Sequence, residues 1–314
     1  MTETVAAIVM AAGKSTRMKS ALPKAAHPIC GKPITRWVID ACREAGVEEV
    51  VVVVGHQAGA VRECLGDDVL YAEQTVQLGT GHACMQAMPQ ISPQAARVLA
   101  LPGDAPLVTA QTLRALLSAH ASEGAAAALL SAVPDDPAAY GRIIRASDGA
   151  VAKIVEARDA DEETLAIREI NASIYCFDRR LLEENLSRIT TDNAQGEYYL
   201  TDVIELLNAS GHRVSALVAD NPADTLGINN RAELAQAAAI QRYRILERLM
   251  LSGVTIVDPA TTYVDWDVEI GPDTVILPCT VIEQGTRIGA NCRIGPFAHL
   301  RGVTIPDNHG EAGC

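Results

Sequence analysis

Short apolar runs alternate with amphipathic stretches over the first 125 residues of the chain. The apolar runs, rich in Val, Ile and Ala as in strands buried on both faces of a sheet, are 5–12, 50–54, 69–72 and 98–101. Apolar residues at helical spacing predict helices over 33–46, 58–65, 80–88 and 109–121. This alternation predicts an α/β domain built on a Rossmann-like mixed, mainly parallel sheet.

From residue 125 the pattern becomes more elaborate. Further strands are predicted at 125–131, 142–146, 151–155, 173–177 and 214–218, and helices at 179–186 and 199–208. A long helical stretch over 231–252 then ends at Gly253 and is typical of a connector between domains. We therefore expect a first domain over 1–230, a connector helix over 231–253 and a second domain over 254–314.

The last part of the chain carries a six-residue repeat of aliphatic residues. Its members are Ile270, Ile276, Ile282, Ile288, Ile294 and Leu300. This period predicts a short left-handed parallel β-helix, of which the tract supplies at most two coils, whereas about three are needed for stability. We expect a stub that ends in the polar tail 307–314 and belongs to a truncated form of a longer protein, or whose open end a partner chain covers.

Composition narrows the function classes. The chain has 314 residues and a net charge of −13, which argues against nucleic acid or an anionic membrane as a partner. Its eight cysteines include no C-x-x-C pair, so we expect free thiols in a reducing compartment. With no signal peptide and no apolar run long enough to span a bilayer, we expect a cytoplasmic protein.

The segment after the first strand combines small residues with bases. Ala11, Ala12 and Gly13 let backbone N–H groups approach an anion, and Arg17 and Lys24 follow with a third base, Lys14. No acidic residue stands between positions 3 and 40. This pattern predicts a phosphate site, although an ordinary strand and loop with solvated lysines would show the same features.

Two other segments offer groups for a nucleotide. Asp104 follows a buried strand, where a carboxylate can hold Mg²⁺ together with phosphate oxygens, or can simply stabilise a turn. Gln74, with Gly79 and Thr80 shortly before a helix, suits reading a flat base edge by paired hydrogen bonds, or is merely a glycine-rich helix start. His82 in the same segment is expected to be a satisfied partner of a backbone group.

Groups suited to a sugar are spread over three strand or loop ends. Gly141, Glu156 and Asn171 offer space, a carboxylate and an amide, which are what hydroxyls and an N-acetyl group need. Taken singly they are a turn glycine, a surface acid and a buried amide. Asn229 precedes the long helix, and Asn230 is expected to cap it.

Together these motifs resemble those of bacterial N-acetylglucosamine-1-phosphate uridylyltransferases, the N-terminal half of a bifunctional enzyme. The resemblance covers residues 5–300. It rests on the stretches 11–18 and 22–24, on Gln74 with 77–83, and on 103–104, 140–142, 193–202 and 229–231. The combination of Gln-Leu-Gly-Thr-Gly-His-Ala with Gln-Gly-Glu-Tyr-Tyr-Leu-Thr-Asp separates the chain from thymidylyl- and guanylyltransferases. Family members usually have Gly where Ser15 stands.

The resemblance implies a role for each matching residue. The segment from Ala11 or Ala12 to Arg17, together with Lys24, would bind the UTP phosphates, with Arg17 and Lys24 as the catalytic cations that neutralise charge. The uracil would be recognised by Gln74, Gly79 and Thr80. The amino sugar phosphate would be held by Gly141, Glu156, Asn171 and Asn229, and Mg²⁺ by Asp104 and Asn229.

The implied reaction is formation of UDP-N-acetylglucosamine and pyrophosphate from UTP and N-acetylglucosamine-1-phosphate. The alternatives are a pyrophosphorylase for another sugar-1-phosphate and a non-catalytic sugar-nucleotide-binding assembly module. In the family, the C-terminal β-helix forms trimers, and its later coils carry the acetyltransferase residues. We therefore expect no acetyltransferase activity, and a homotrimer through the β-helix.

Overall fold

The computed structural model of the chain describes residues 4–137 and 139–310. Its strands are β1 (Thr4–Met10), β2 (Pro28–Ile29), β3 (Lys32–Pro33), β4 (Glu49–Val54), β5 (Leu70–Glu73), β6 (Ala95–Pro102), β7 (Ala127–Ala132), β8 (Arg142–Arg145), β9 (Val151–Val155), β10 (Ile170–Asp178), β11 (Val214–Val218), β12 (Thr255–Ile256), β13 (Tyr263–Val264), β14 (Glu269–Ile270), β15 (Val275–Ile276), β16 (Val281–Glu283), β17 (Arg287–Ile288), β18 (Arg293–Ile294), β19 (His299–Arg301) and β20 (Thr304–Ile305).

The α-helices are α1 (Ile34–Glu44), α2 (Ala58–Leu65), α3 (Thr80–Ala87), α4 (Ala110–Glu123), α5 (Glu162–Leu165), α6 (Arg179–Leu186), α7 (Asp202–Ala209) and α8 (Arg231–Leu251). Within the described residues the chain divides into two compact units. The first contains residues 4–27 and 34–229, and the second contains 28–33 and 230–310. Among the described helices, none is long and apolar enough to cross a bilayer.

The first unit is built on one mixed sheet with the strand order β11-β7-β10-β6-β1-β4-β5, to which β8 and β9 are attached through β10. The pairs β1–β4, β1–β6, β4–β5 and β7–β11 are parallel, and β10 is antiparallel to both of its long neighbours. The predicted fold class, a mixed and mainly parallel sheet, is confirmed.

Both faces of this sheet are buried because successive side chains of a strand point to opposite sides. Ala6 and Ile8 belong to one apolar cluster, while Val5, Ala7 and Val9 belong to the other. Continuous apolar runs are therefore required, as the sequence of β4 also shows. The carboxyl ends of β1, β4, β5 and β6 lie at one edge, which is where such sheets bind ligands.

Strand β10 is longer than expected. It begins at Ile170 rather than at residue 173, and its register with β7 shifts between Asn171 and Tyr175. Ser173 lies within this irregularity with φ +59°, in the left-handed region that most L-residues avoid. The polar residues at this irregular point interrupt the apolar pattern, which is why the sequence placed the start of the strand too late.

The second unit contains helix α8, a hairpin of β2 with β3, and three parallel sheets with the orders β12-β15-β18, β13-β16-β19 and β14-β17-β20. Each sheet stacks three strands, so the expectation of at most two coils is wrong. The first coil escaped notice because its inward residues Ile256 and Val264 are eight positions apart rather than six. A short parallel β-helix is confirmed as the architecture of this region.

The predicted N-capping residues of two helices, α4 and α8, are confirmed. Thr109 caps α4 by accepting the Thr112 N–H at 3.1 Å, as predicted. Asn230 caps α8 by accepting the N–H groups of Ala232 and Glu233. Seven cysteines in the described part of the chain are free thiols, and Cys314 lies outside the described residues.

Candidate active site

A cavity of about 670 Å³ opens at the carboxyl edge of the first unit's sheet. Nine of the thirteen residues predicted to bind substrate or metal line it, namely Ala11, Ala12, Gly13, Lys24, Gln74, Gly79, Thr80, Asp104 and Asn229. They come from the segments after β1, β5 and β6 and from the end of the unit. The parallel strands thus bring distant parts of the chain together, as expected for their carboxyl ends.

The loop after β1 presents unpaired backbone donors to this cavity. Among the described residues, none accepts a hydrogen bond from the backbone N–H of residues 12 to 15. Ser15 has φ +51°, in the left-handed region that favours glycine, so the chain turns sharply at this point. Successive free N–H groups beside basic side chains form a concavity suited to phosphate oxygens.

Lys24 and Asp104 form an ion pair within the cavity wall. The Lys24 ammonium donates to Oδ2 of Asp104, and the two side chains are 19% and 23% exposed. Asp104 is fixed from below, since its carbonyl accepts the Ile228 N–H at 2.9 Å and the preceding Gly103 carbonyl accepts the Thr35 hydroxyl at 2.7 Å. The charge of Lys24, which is predicted to bind phosphate, and the charge of Asp104, which is predicted to bind Mg²⁺, therefore neutralise each other.

Arg17 and Asn229 form a second pair at the same edge. Nη2 of Arg17 donates to Oδ1 of Asn229 at 2.8 Å. Arg17 itself is exposed and does not line the cavity, so the structure places it beside the predicted site rather than in its wall. Arg17 is connected to the cavity by its hydrogen bond to Asn229, which lines the wall.

The donor set fits a hard divalent cation. Asp104 and Asn229 offer one carboxylate and one amide oxygen on the same cavity, and both oxygens already attract a cationic side chain. Mg²⁺ takes one or two protein oxygens and completes its shell with phosphate and water. No group of three or more His, Cys, Asp or Glu side chains arranged for a metal occurs among residues 4–137 and 139–310.

The segment before α3 is held against the segment around Tyr198 by backbone pairing. The Gly81 N–H donates to the Tyr198 carbonyl, and the Tyr198 N–H donates to the Leu78 carbonyl, both at 2.8 Å. Gly79 has φ +102°, and a Cβ atom there would lie 2.6 Å from the Tyr198 carbonyl oxygen. The two glycines therefore allow an approach that no other residue would permit.

We expect Gly79→Ala to destabilise this segment. The added methyl group meets backbone atoms that cannot give way, and its φ is unfavourable for alanine, so the expected cost is about 2–3 kcal/mol. Thermal denaturation of the purified variant measures the loss. Gly59→Ala is the matched control because a Cβ atom at Gly59 meets nothing within 4 Å. Equal stability of the two variants would contradict the close packing at Gly79.

A second cavity of about 170 Å³ shares four lining residues with the first, namely Met10, Thr80, Ser173 and Glu197. Glu156 lines it, and its Oε1 accepts the Thr201 hydroxyl at 3.2 Å. Burial raises the pKa of Glu156, and the nearby Asp159 and Asp202 carboxylates raise it further.

Gly141 and Asn171 stand behind this second cavity and do not line it. Asn171 is 1% exposed; its Nδ2 donates to the Tyr175 hydroxyl at 2.6 Å, and its Oδ1 accepts the Ser173 N–H. Gly141 accepts the Asn171 N–H, and a Cβ atom on it would lie 3.4 Å from Oε2 of Glu156. The predicted sugar-binding residues Gly141, Glu156 and Asn171 are therefore close together. Only Glu156 lines the second cavity, and the other two support its wall.

Asp202 opens α7 next to this cavity. Burial, together with the Glu205 and Asp159 carboxylates, raises its pKa to about 6. The folded protein thus binds a proton at Asp202 that the unfolded chain releases between about pH 4 and pH 6. Stability contributed at Asp202 is therefore highest at low pH and is lost as the pH rises through this window.

We expect Asp202→Asn to remove this pH dependence. At pH 7 the variant gains about 1 kcal/mol over the unchanged chain, a figure reduced for solvent screening of a half-exposed group. At pH 4 the two proteins have equal stability. Urea unfolding at both pH values measures the difference, with the exposed Asp192→Asn as control. An equal gain at both pH values would show that the carboxylate charge is not the cause.

Comparison with known proteins identifies the family of the chain. The family model described as the MobA-like NTP transferase domain matches residues 7–168, more than half of the chain. The chain belongs to the MobA-like NTP transferase family. A second model, the bacterial transferase hexapeptide of six repeats, matches residues 267–302 of this NTP transferase.

Several curated relatives are similar in sequence to this NTP transferase over nearly the whole chain. The bifunctional protein GlmU of Caldanaerobacter subterraneus subsp. tengcongensis is 49% identical over 96% of the chain and 66% of its own length. GlmU of Geobacillus thermodenitrificans is 50% identical over 95% of the chain and 65% of its own length. GlmU of an Exiguobacterium species is 48% identical over 96% of the chain and 67% of its own length. The resemblance inferred from the motifs is confirmed, and the chain spans slightly less than two thirds of the length of the first two relatives.

Some lining residues of the NTP transferase cavities were not predicted. Thr35, Ser173 and Tyr175 lie in or beside the walls, although sequence reasoning took them as parts of a helix and a strand. A left-handed residue inside an apolar run has no signature in one sequence. Ser173 could have been recognised from the sequence by one signal. It is a polar residue in a strand, and that strand ends at a predicted site.

Proposed function

We propose that the chain is a uridylyltransferase that forms UDP-N-acetylglucosamine and pyrophosphate from UTP and N-acetylglucosamine-1-phosphate. The observation that carries this proposal is the composition of one cavity. Free loop N–H groups, the Lys24–Asp104 pair and the buried Gln74 amide line it, and it shares a wall with the cavity of Glu156. Groups suited to the phosphates, the base and the sugar thus lie in two adjoining cavities.

In the proposed reaction an oxygen of the sugar phosphate attacks the α-phosphorus of UTP in line, the P–O bond to the β-phosphate breaks, and pyrophosphate leaves. The nucleophile is already an anion, so no general base is needed. Lys24 and Arg17 neutralise the charge that builds on the leaving group, and the loop N–H groups orient the phosphates. Mg²⁺, held by Asp104 and Asn229, would supply further neutralisation of phosphate charge.

The amino sugar is assigned to the second cavity. Two carboxylates, two tyrosines and Thr201 give it donors and acceptors for hydroxyl and N-acetyl groups, and Asn171 and Gly141 lie behind its wall. A pyrophosphorylase for another sugar-1-phosphate would use the same first cavity. Turnover of N-acetylglucosamine-1-phosphate beside glucose-1-phosphate decides between the two.

The test of the proposal is pyrophosphate release from UTP with a panel of sugar-1-phosphates, with and without Mg²⁺. We expect turnover with N-acetylglucosamine-1-phosphate, dependent on the metal. Tight UTP binding without Mg²⁺-dependent turnover would instead favour a non-catalytic sugar-nucleotide-binding module.

Location and assembly belong to the same proposal. A cytoplasmic site of action agrees with eight cysteines that lack a pairing pattern. A homotrimer through the β-helix is proposed from the family resemblance, and light scattering during gel filtration measures it. The absence of acetyl transfer stays a prediction, which acetyl-CoA with glucosamine-1-phosphate as substrates tests.

A further inference from the structure

The Gln74 amide has a fixed orientation. It is 3% exposed, and its Nε2 atom lies 3.0 Å from the Gly79 carbonyl oxygen and 3.0 Å from Nδ1 of His82. A carbonyl oxygen only accepts hydrogen bonds, so the end of the amide that faces Gly79 has to be the NH₂ group. One of its two hydrogens is used there, and the other points to His82.

The state of the His82 ring follows from this contact. Nδ1 receives the second amide hydrogen and therefore carries none itself, so the proton of the neutral ring resides on Nε2. Nε2 faces the exposed side-chain amide of Gln86 at 3.4 Å, which can turn its oxygen toward the ring. The ring lies against Tyr198, with centroids 6.2 Å apart and planes inclined by 29°.

The remaining polar atom of the Gln74 side chain is Oε1. Gln74 lines the large cavity, and among the described residues none donates a hydrogen bond to Oε1. Because Gly79 and His82 occupy both hydrogens, the amide offers a ligand only an acceptor. Rotation of the amide by 180° would bring its oxygen against the Gly79 carbonyl, where two acceptors repel.

We propose that His82 is a positioning residue that selects the base by locking the Gln74 amide with its acceptor toward the cavity. This inference rests on the proposed function, in which Gln74 reads the nucleotide base. Uracil carries a hydrogen on N3 and donates it to Oε1. Cytosine presents a lone pair at N3 and meets Oε1 as acceptor against acceptor. The lock therefore favours uracil over cytosine without a contact between His82 and the nucleotide.

The experiment compares the dissociation constants of UTP and CTP for the full chain by calorimetry. His82→Phe and His82→Met keep an apolar body but remove the acceptor, and His82→Asn retains an oxygen near the position of Nδ1. His212→Phe is the matched control, because His212 lies at the end of α7 and lines neither cavity. Two apolar variants are used so that the test can still be made if one of them does not fold.

We expect the ratio of the CTP constant to the UTP constant to fall about tenfold in the apolar variants, as for one lost directional hydrogen bond. It stays within about threefold in His82→Asn and is unchanged in His212→Phe. An unchanged ratio in a folded apolar variant would overturn the positioning role. An equal fall in His82→Asn would overturn it as well, since the acceptor would then be irrelevant.

The proposed function fails in a different measurement. If the unchanged chain binds UTP in preference to CTP but releases no pyrophosphate with any sugar-1-phosphate, transfer is disproved, and the role of His82 stands only if the apolar variants lose that preference. If the chain turns over UTP and His82→Phe keeps its full selectivity, the role of His82 is disproved and transfer stands.

Discussion

Replacement of Asp104 by asparagine is expected to lower kcat for pyrophosphate release by about 10²–10³-fold, the usual effect of removing one group that balances charge in a transition state. Asparagine keeps the size of the side chain but removes its charge, so the Lys24 ammonium loses its ionic partner and the cavity loses the Asp104 carboxylate. A discontinuous pyrophosphate assay over a range of Mg²⁺ concentrations measures both the rate and the metal requirement.

The exposed Asp220→Asn is the matched control for this variant, because Asp220 lines neither cavity. Undiminished release by Asp104→Asn at every Mg²⁺ concentration would remove Asp104 from the proposed metal site. A loss of rate that high Mg²⁺ restores would agree with weakened metal binding as the cause.

Lys24→Ala is expected to lower kcat/KM for UTP by at least about 10²-fold, because phosphate charge would develop without the Lys24 ammonium. Lys24→Arg should recover part of the loss, since it keeps the charge but changes the reach and shape of the group. Initial rates at several UTP concentrations separate the effects on kcat and KM.

The two variants should differ in metal binding. The Lys24 ammonium donates to Oδ2 of Asp104, so a divalent cation at that oxygen competes with the ammonium. Removing Lys24 takes away this competitor, and Mn²⁺ binding without nucleotide, followed by electron paramagnetic resonance, is expected to be no weaker than in the unchanged chain. In Asp104→Asn it is expected to be weaker. Exposed Lys19→Ala is the control, and weaker Mn²⁺ binding in Lys24→Ala than in Lys19→Ala would contradict competition between the ammonium and the metal.

Sequence patterns were most informative where one physical rule acts alone. The run Val50–Val54 has no polar residue because both faces of β4 are covered, and Thr109 and Asn230 have the side chains that helix starts need. The loop after β1 and Asp104 were found because residues that follow parallel strands meet at one edge. Gln74 was found because an amide before a glycine-rich helix start suits a base edge. These rules are local or follow directly from sheet topology.

Other features depend on contacts that a single sequence does not display. Asn171 looked like a ligand of the sugar, but the irregular backbone at Ser173 and the Tyr175 hydroxyl hold its amide behind the cavity wall. The first coil of the β-helix departs from the six-residue period, and its strands are recognisable only through their pairing with the next coil. The contact between Arg17 and the site is made through Asn229, which returns there from the far end of the unit.

The pairing of residues 78–81 with Tyr198 has a thermodynamic consequence. The same short segment continues into Tyr199, Leu200 and Thr201, which line the second cavity, and the Leu200 N–H donates to the Thr80 hydroxyl. A ligand that shifts this segment from either side changes the free energy of binding on the other side. Such coupling is reciprocal, so the factor by which the nucleotide alters sugar-phosphate affinity equals the factor in the opposite direction.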